Sequence, residues 1–299
     1  MNKALTAPRE MTPLWLARVA DWAELVKLRL TAMVLFTAFL GFYLGSGGGV
    51  DGWLLVNTMA GTALVAAGAA ALNQLLEREA DGKMRRTADR PLPSGRMSPD
   101  EALVLGFSMG VGGLMWLALG VNLLAAVVAA VTLGLYVFVY TPMKRVSAFN
   151  TPVGAVAGAL PPLLGWVAAQ GSVSLMGWTL FAMLFLWQMP HFMAIAWLYR
   201  EDYARAGFRM ISLGDEEGKI TAGQGLIYAL ALVPVTLVPG LAGAAGAAYC
   251  AVALVLGLGF GWLALRFFLR PSERSARLLF FGSIVYLPLL MVSLGIGRL

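Results

Sequence analysis

The chain has 299 residues, of which 59% are hydrophobic, 13% are charged and one is a cysteine. A soluble domain carries about 45–50% apolar and about 25% charged residues, so this composition and a mean hydropathy of +0.76 exclude an ordinary water-soluble enzyme. The lone Cys250 excludes an internal disulfide and a cysteine-based metal cluster.

The N-terminal stretch has no uninterrupted apolar core and no A-x-A site before Leu30, so it does not read as a signal peptide. Trp15, Leu16, Val19, Trp22 and Leu25 recur at helical spacing, which predicts an amphipathic helix lying at the membrane surface. Residues 1–29 are therefore expected to form a cytoplasmic, interfacial segment, and residues 30–299 a single transmembrane domain. Nine apolar runs follow, at 30–44, 53–76, 102–120, 122–140, 152–170, 175–199, 223–240, 244–265 and 278–296. Most have the length that crosses a bilayer. Lipid gives the backbone no hydrogen-bond partners, so each run is expected to be a helix. The predicted fold class is an all-α integral membrane protein with nine transmembrane helices around a central cavity.

Between the second and third runs lies a polar window, residues 73–96 (NQLLEREADGKMRRTADRPLPSGR). Asn73, Glu77 and Asp81 stand four residues apart. On a helix that spacing drifts by only about 80° over its whole length, so the three side chains share one face. They would sit at a helix C-terminus, whose partial negative charge favours a cation. Mg²⁺ takes a few carboxylates together with phosphate oxygens and water. Lys83, Arg85, Arg86, Arg90 and Arg96 follow, and arginine forks suit phosphate oxygens. Acids that can hold Mg²⁺ beside cations that can hold phosphate predict a diphosphate site. The bland reading, a solvated helix end carrying topology charge, does not explain why acids and bases interleave so densely.

Gly and Ala recur at four-residue spacing in residues 65–72 and 154–165, the pattern of closely packed membrane helices. Lys144 and Arg145 follow the fourth run and are candidates to complete the diphosphate pocket. Pro161, Pro162 and Pro190 are expected to break or kink their helices, and freed carbonyls are tolerated only where they line a cavity. His191, the only histidine, lies within the sixth run after Pro190. An ionisable residue in the membrane is a functional candidate; the alternative is a buried histidine bonded to another helix. Trp187, Gln188 and Trp197 nearby would suit a flat aromatic substrate, or simply pack. A second polar cluster, YREDYARAGFRM at 199–210, holds Arg200, Glu201, Asp202 and Tyr203, with Asp202 expected to bind a second Mg²⁺ or to organise the arginines.

If the nine runs alternate across the membrane, all 22 Lys and Arg except Arg298 share the side of the N-terminus, and Asp51 is the only acid on the other. The positive-inside rule puts the N-terminus and the charged loops in the cytoplasm. The net charge of +6 is thus a topology signal, and no nucleic-acid partner is expected. A four-helix unit, a second such unit and one extra helix hint at an internal duplication. A transporter would more often carry polar residues at the midplane and on both sides, so the nearly empty far side favours an enzyme.

The sequence resembles the UbiA superfamily of intramembrane aromatic prenyltransferases. The resemblance runs from about Val26 to near the end of the chain, through the window at 73–96, YTPMKRVSAFNTPVGAVAGALPPLLGW, WQMPHFMAIAW and YREDYARAGFRM. Glu77 stands where much of the superfamily has Asp, and the second cluster has adjacent Glu201 and Asp202 in place of a spaced Asp pair. The resemblance implies nine helices around a cavity that opens sideways to lipid. It implies Mg²⁺ on Asn73, Glu77 and Asp81, with diphosphate also held by Arg85, Arg86 and Arg90. The last three segments point to the branch whose acceptor is haem. That branch implies transfer of farnesyl from farnesyl diphosphate to a vinyl group of haem B, with water addition, in the cell inner membrane. Membrane lipid, and a haem A synthase or terminal oxidase assembly as consumer of the product, are the other implied partners. His191 and Trp187 are then candidates to touch the haem. The alternative within the enzyme class is another aromatic or tetrapyrrole acceptor.

Overall fold

The computed structural model describes residues 13–297, and among them no strand occurs. A short helix, α1 (Leu14–Leu25), precedes α2 (Leu28–Gly45) and a long α3 (Gly52–Asp81). Next come α4 (Pro99–Gly120) and α5 (Leu123–Gly134), which passes through a π-helical turn at Leu135–Tyr140 into a last α-helical turn, α6 (Thr141–Met143). The second half holds α7 (Asn150–Gln170), α8 (Leu175–Leu198), the short α9 (Arg200–Arg205), α10 (Lys219–Leu241), α11 (Ala247–Leu269) and α12 (Glu273–Ile296). Nine of the described helical stretches, with α5 to α6 taken as one, are long and apolar enough to cross a membrane.

The two four-helix units repeat one packing scheme. α3 packs on α4 in the first and α8 on α10 in the second; α2 and α7, the leading spans of the units, pair with each other. α12 touches both α8 and α2. Small residues set these approaches. A methyl group on Gly41 would run into the Pro162 carbonyl, and one on Gly165 into the Ala38 carbonyl. Gly68 meets the backbone of Gly106 and Gly110 in the same way. Helices without side chains between them gain dispersion contacts that lipid cannot replace. The expected small-residue packing is therefore present, and the prolines sit inside it: α7 continues through Pro161 and Pro162, and α8 through Pro190, without a break. On α4, Val104, Phe107, Val111, Met115 and Leu119 form an exposed apolar stripe, as a lipid-facing helix requires.

α3 has 30 residues, about 45 Å of helix against a hydrocarbon layer of roughly 30 Å. Its last turns therefore project past the apolar slab, yet Asn73, Glu77 and Asp81 remain almost fully buried. Protein, rather than lipid or bulk water, covers them. α1 supplies part of that cover. Trp15, Leu16, Val19 and Trp22 are exposed on it, whereas Leu25 is buried in a small cluster with Ala71, Leu92 and Met97. Beneath Asn73, α2, α3, α5 and α7 enclose an apolar crevice of about 40 Å³ lined by Val34, Val65, Ala69, Thr132 and Pro161 among others.

Candidate active site

The row Asn73, Glu77, Asp81 meets a separate partner at each step. Glu77 Oε1 lies 2.7 Å from Lys144 Nζ, a buried ion pair. Asp81 Oδ2 accepts a 2.7 Å bond from Arg90, while Asp81 Oδ1 is buried with no hydrogen-bond partner among the described residues. Asn73 Oδ1 accepts a 2.5 Å bond from Lys27 Nζ, and its amide donates to Thr141 Oγ1 at 2.9 Å. The loop that follows α3 and three places distant in sequence thus converge on one helix face: the α1–α2 corner, α6 and the residue after α6.

The π-helical turn belongs to this construction. Widening the helix at Leu135–Tyr140 lets Thr141 donate to the Tyr136 carbonyl at 2.7 Å. π-helical turns are often found at functional sites. Here the turn sets Tyr136 and Tyr140 side by side, 5.5 Å apart, with Lys144 Nζ 4.6 Å from the Tyr140 ring centre and Lys27 Nζ 6.0 Å from that of Tyr136. Burial works against the charge of Lys144, but Tyr140, Glu77 and Tyr136 outweigh it and hold its pKa above the ordinary range. Lys27 goes the other way: burial first, then Arg90 and Lys144, push it down to about 7 against the pull of Glu77 and Asp81.

The second polar cluster closes over the first. Tyr203, Ala206 and Phe208 pack with Ala80 and Met84. Arg86 stacks 5.1 Å from the ring centres of both Tyr199 and Tyr203, and burial raises the Tyr203 phenol although Arg86 opposes it. The backbone of Arg209 ties this cover down: its N–H donates to the Lys144 carbonyl at 2.7 Å and its carbonyl accepts from Asn150 at 2.9 Å. Asp202 forms an ion pair with Arg205 of its own short helix. Arg200 donates to the Trp197 carbonyl at 3.0 Å and lies over that indole. Lys83, Arg85 and Arg145 are exposed at the rim. Arg96, counted among the cations of the window, instead binds Asp21 at 2.8 Å and Glu24 at 3.3 Å on α1.

Sequence reading passed over Lys27, Gln74, Tyr136, Tyr140 and Thr141 as site residues. In the sequence Lys27 counts only toward the topology charge; its place just before the first apolar run, at 30–44, was the available signal.

His191 lies about 10 Å below the end of α8 by helix rise. It stacks on Trp187 at 5.4 Å and on Phe280 of α12 at 4.9 Å. Its Nδ1 is 2.7 Å from Ser283 Oγ. Ser283 already donates its hydroxyl hydrogen to the Phe280 carbonyl at 2.6 Å, so Nδ1 is the donor and Nε2 keeps a free lone pair. Trp187 donates to the Ser283 carbonyl at 2.8 Å. Gln188 and Trp197 serve packing: Gln188 donates to the Ala155 carbonyl at 2.6 Å, and Trp197 meets Phe267 edge to face.

No cluster of three or more His, Cys, Asp or Glu that would hold a metal by itself occurs among the described residues. A divalent ion here would rest on two carboxylates, an amide and the oxygens of its substrate, the manner in which Mg²⁺ is commonly held. The unpartnered Asp81 Oδ1 is what such an ion would satisfy.

Comparison with known proteins bears on this geometry. The model of the UbiA prenyltransferase family matches residues 34–285. A "Protoheme IX farnesyltransferase" of Solibacter usitatus is 46% identical over 280 residues, covering 90% of this chain and 96% of the relative. Among solved structures, a digeranylgeranylglyceryl phosphate synthase superposes with a TM-score of 0.80 at 16% identity, covering 94% of this chain and 98% of that one. A UbiA homolog from Archaeoglobus fulgidus bound to GPP and Mg²⁺ superposes with a TM-score of 0.67 at 14% identity, over 92% and 99%.

Proposed function

The chain belongs to the UbiA prenyltransferase family, and from that premise we propose that it transfers the farnesyl group of farnesyl diphosphate to a vinyl group of protoheme IX, with addition of water, giving haem O and diphosphate. The observation that carries the site is the buried Asn73–Glu77–Asp81 row closed by Lys27, Arg90 and Lys144. It joins carboxylates to cations at a membrane boundary, where a diphosphate head and a greasy tail part company.

Glu77, Asp81 and Asn73 are the residues that would hold Mg²⁺; the Archaeoglobus homolog is bound to Mg²⁺ together with GPP. When bound, the ion neutralises the diphosphate as it leaves with its electron pair. Lys144, Arg90, Arg86 and Lys27 direct positive charge to the same group without having to reorganise, which lowers the cost of breaking the C1–O bond. Lys27 Nζ donates to Asn73 Oδ1 at the edge of the same row, where its ammonium would also be in reach of a diphosphate held there. Tyr203 and Phe208 keep water from the allylic cation until the vinyl carbon attacks it. Water then captures the cation left on the haem side. His191 Nε2 ligates the haem iron, and Trp187 and Phe280 hold the imidazole plane. Lys83, Arg85, Arg145 and Arg200 draw the diphosphate toward the site from the rim, and Asp202 organises the arginines through Arg205.

In this reading the polar ends of α3 and α8 face the cytoplasm, α1 lies on the inner leaflet of the cell inner membrane with Trp15 and Trp22 in the headgroup layer, and a haem-consuming enzyme takes the product. The test is to incubate membranes carrying the protein with haem B, farnesyl diphosphate and Mg²⁺ and to look by mass spectrometry for a haem heavier by one farnesyl and one hydroxyl group, the water having lost a proton on capture. A prenylated product that appears only with a different aromatic acceptor refutes the assignment.

A further inference from the structure

Lys27 is the only described non-glycine residue with a left-handed backbone, at φ +49. A side chain there is strained and persists only when its surroundings impose it. The surroundings can be named. α1 ends at Leu25 and α2 begins at Leu28, so the chain turns a corner in two residues. Gln74, fully buried on α3 beside Asn73, donates both amide hydrogens across that corner, to the Glu24 and Leu25 carbonyls at 2.8 Å each. Thr31 takes the Val26 carbonyl at 2.8 Å. The Lys27 carbonyl accepts from Leu30 and Thr31 and starts α2. Every carbonyl of the corner is therefore spoken for, and the left-handed turn throws the Lys27 ammonium onto Asn73 Oδ1.

We infer that Gln74 is a positioning residue for the diphosphate site: it fixes the α1–α2 corner and, through it, the place of the Lys27 ammonium. The inference rests on the proposed role of Lys27. An amide is required because it alone offers two N–H donors to two carbonyls that converge from one side. Leucine or methionine fills the same space and supplies neither. The Leu25 carbonyl would then be buried without a partner and the Glu24 carbonyl left with the Lys27 N–H alone, the turn would relax toward the right-handed region, and the lysine would lose its aim.

The test is a double-mutant cycle on the full-length protein in nanodiscs with Mg²⁺. Titration with inorganic diphosphate gives Kd, turnover with farnesyl diphosphate gives KM and kcat, and melting is followed in parallel. Lys27→Met and Gln74→Leu are each expected to raise Kd and KM about tenfold, the worth of one charge-assisted hydrogen bond. kcat should change far less. In the Lys27→Met background, Gln74→Leu should add nothing to Kd, because residues that act through one contact are not additive. Gln74→Met, which keeps length and flexibility, should behave as Gln74→Leu does; it decides the question should Gln74→Leu fail to fold. Additive effects, or a lowered melting temperature with Kd unchanged, overturn the positioning role while leaving Lys27 in the site. No effect of Lys27→Met on Kd removes Lys27 from the site and the inference with it.

Discussion

The ends of α3 and α8 close the second helix of each four-helix unit, and both are followed or lined by dense runs of acids and cations, yet they are built differently. On α3, three polar side chains lie almost fully buried and meet partners from four other segments. On α8 the helix stops at Leu198, and the acids fall on a six-residue helix where Asp202 pairs with Arg205 and Glu201 is exposed. The second cluster contributes chiefly apolar and aromatic cover, from Tyr203 and Phe208. The polar and aromatic groups of the second half lie deeper, where His191 and Trp187 face Phe280 and Ser283. The two halves differ in what they bring together: one gathers charge at the membrane boundary, the other a ring-lined surface within the membrane.

The hardest way to break this comparison is at Asp81. It carries the one buried carboxylate oxygen of the row that neither a hydrogen bond nor an ion pair satisfies, so Asp81→Asn removes the charge an ion would need. Turnover should fall by about 10²-fold or more while the protein still inserts, and EDTA should abolish it in the wild type. Full activity in chelator ends the Mg²⁺ reading. Lys144→Met comes next. It leaves Glu77 as a buried charge without its ion-pair partner, which costs about 3 kcal/mol of stability. Melting should drop together with diphosphate affinity, and Lys144→Met/Glu77→Gln should recover the melting temperature but not the activity. Recovery of both would make the pair structural.

Much of this division was legible in the chain. The nine spans followed from run length, and the α3 row from its four-residue spacing. Cross-helix partners were not legible, because a one-dimensional spacing says nothing of which distant residue fills the space opposite. Lys27, Tyr136 and Thr141 come to Asn73 from 46, 63 and 68 residues away. Arg96 shows the converse: sequence proximity grouped it with the phosphate cations, and the fold turns it toward Asp21 and Glu24. The prolines were expected to interrupt their helices. Tight packing against α2 carries α7 through Pro161 and Pro162, because neighbouring helices can hold the groups that proline frees.

His191→Ala sharpens the second half of the comparison. Haem affinity should fall about tenfold or more and the haem absorption spectrum should shift, while inorganic diphosphate binds as before. Ser283→Ala removes the acceptor that keeps the proton on Nδ1; such outer-shell changes cost about 10- to 100-fold in metal affinity, so the same spectrum should change with the histidine still present. A lowered melting temperature with an unaltered haem spectrum in both variants would make His191 a packing residue.

The smallest effect is expected at Asp202. Its carboxylate is engaged by Arg205 one helical turn away, and the arginine is substantially exposed. Partly exposed pairs of this kind are worth up to about 1 kcal/mol, and Asn keeps one oxygen to accept the same guanidinium. Asp202→Asn should therefore change kcat/KM within about fivefold, and the concentration of Mg²⁺ giving half-maximal rate should not move. Arg205→Ala should have an effect of the same size, and the double variant no more than either alone, because the two act as one unit at the rim. A loss at Asp202 as large as that at Asp81, with a raised Mg²⁺ requirement, would show that the end of α9 swings inward when substrate binds. It would make the second cluster a metal site like the first, and the division between the halves would then be a property of the substrate-free fold alone.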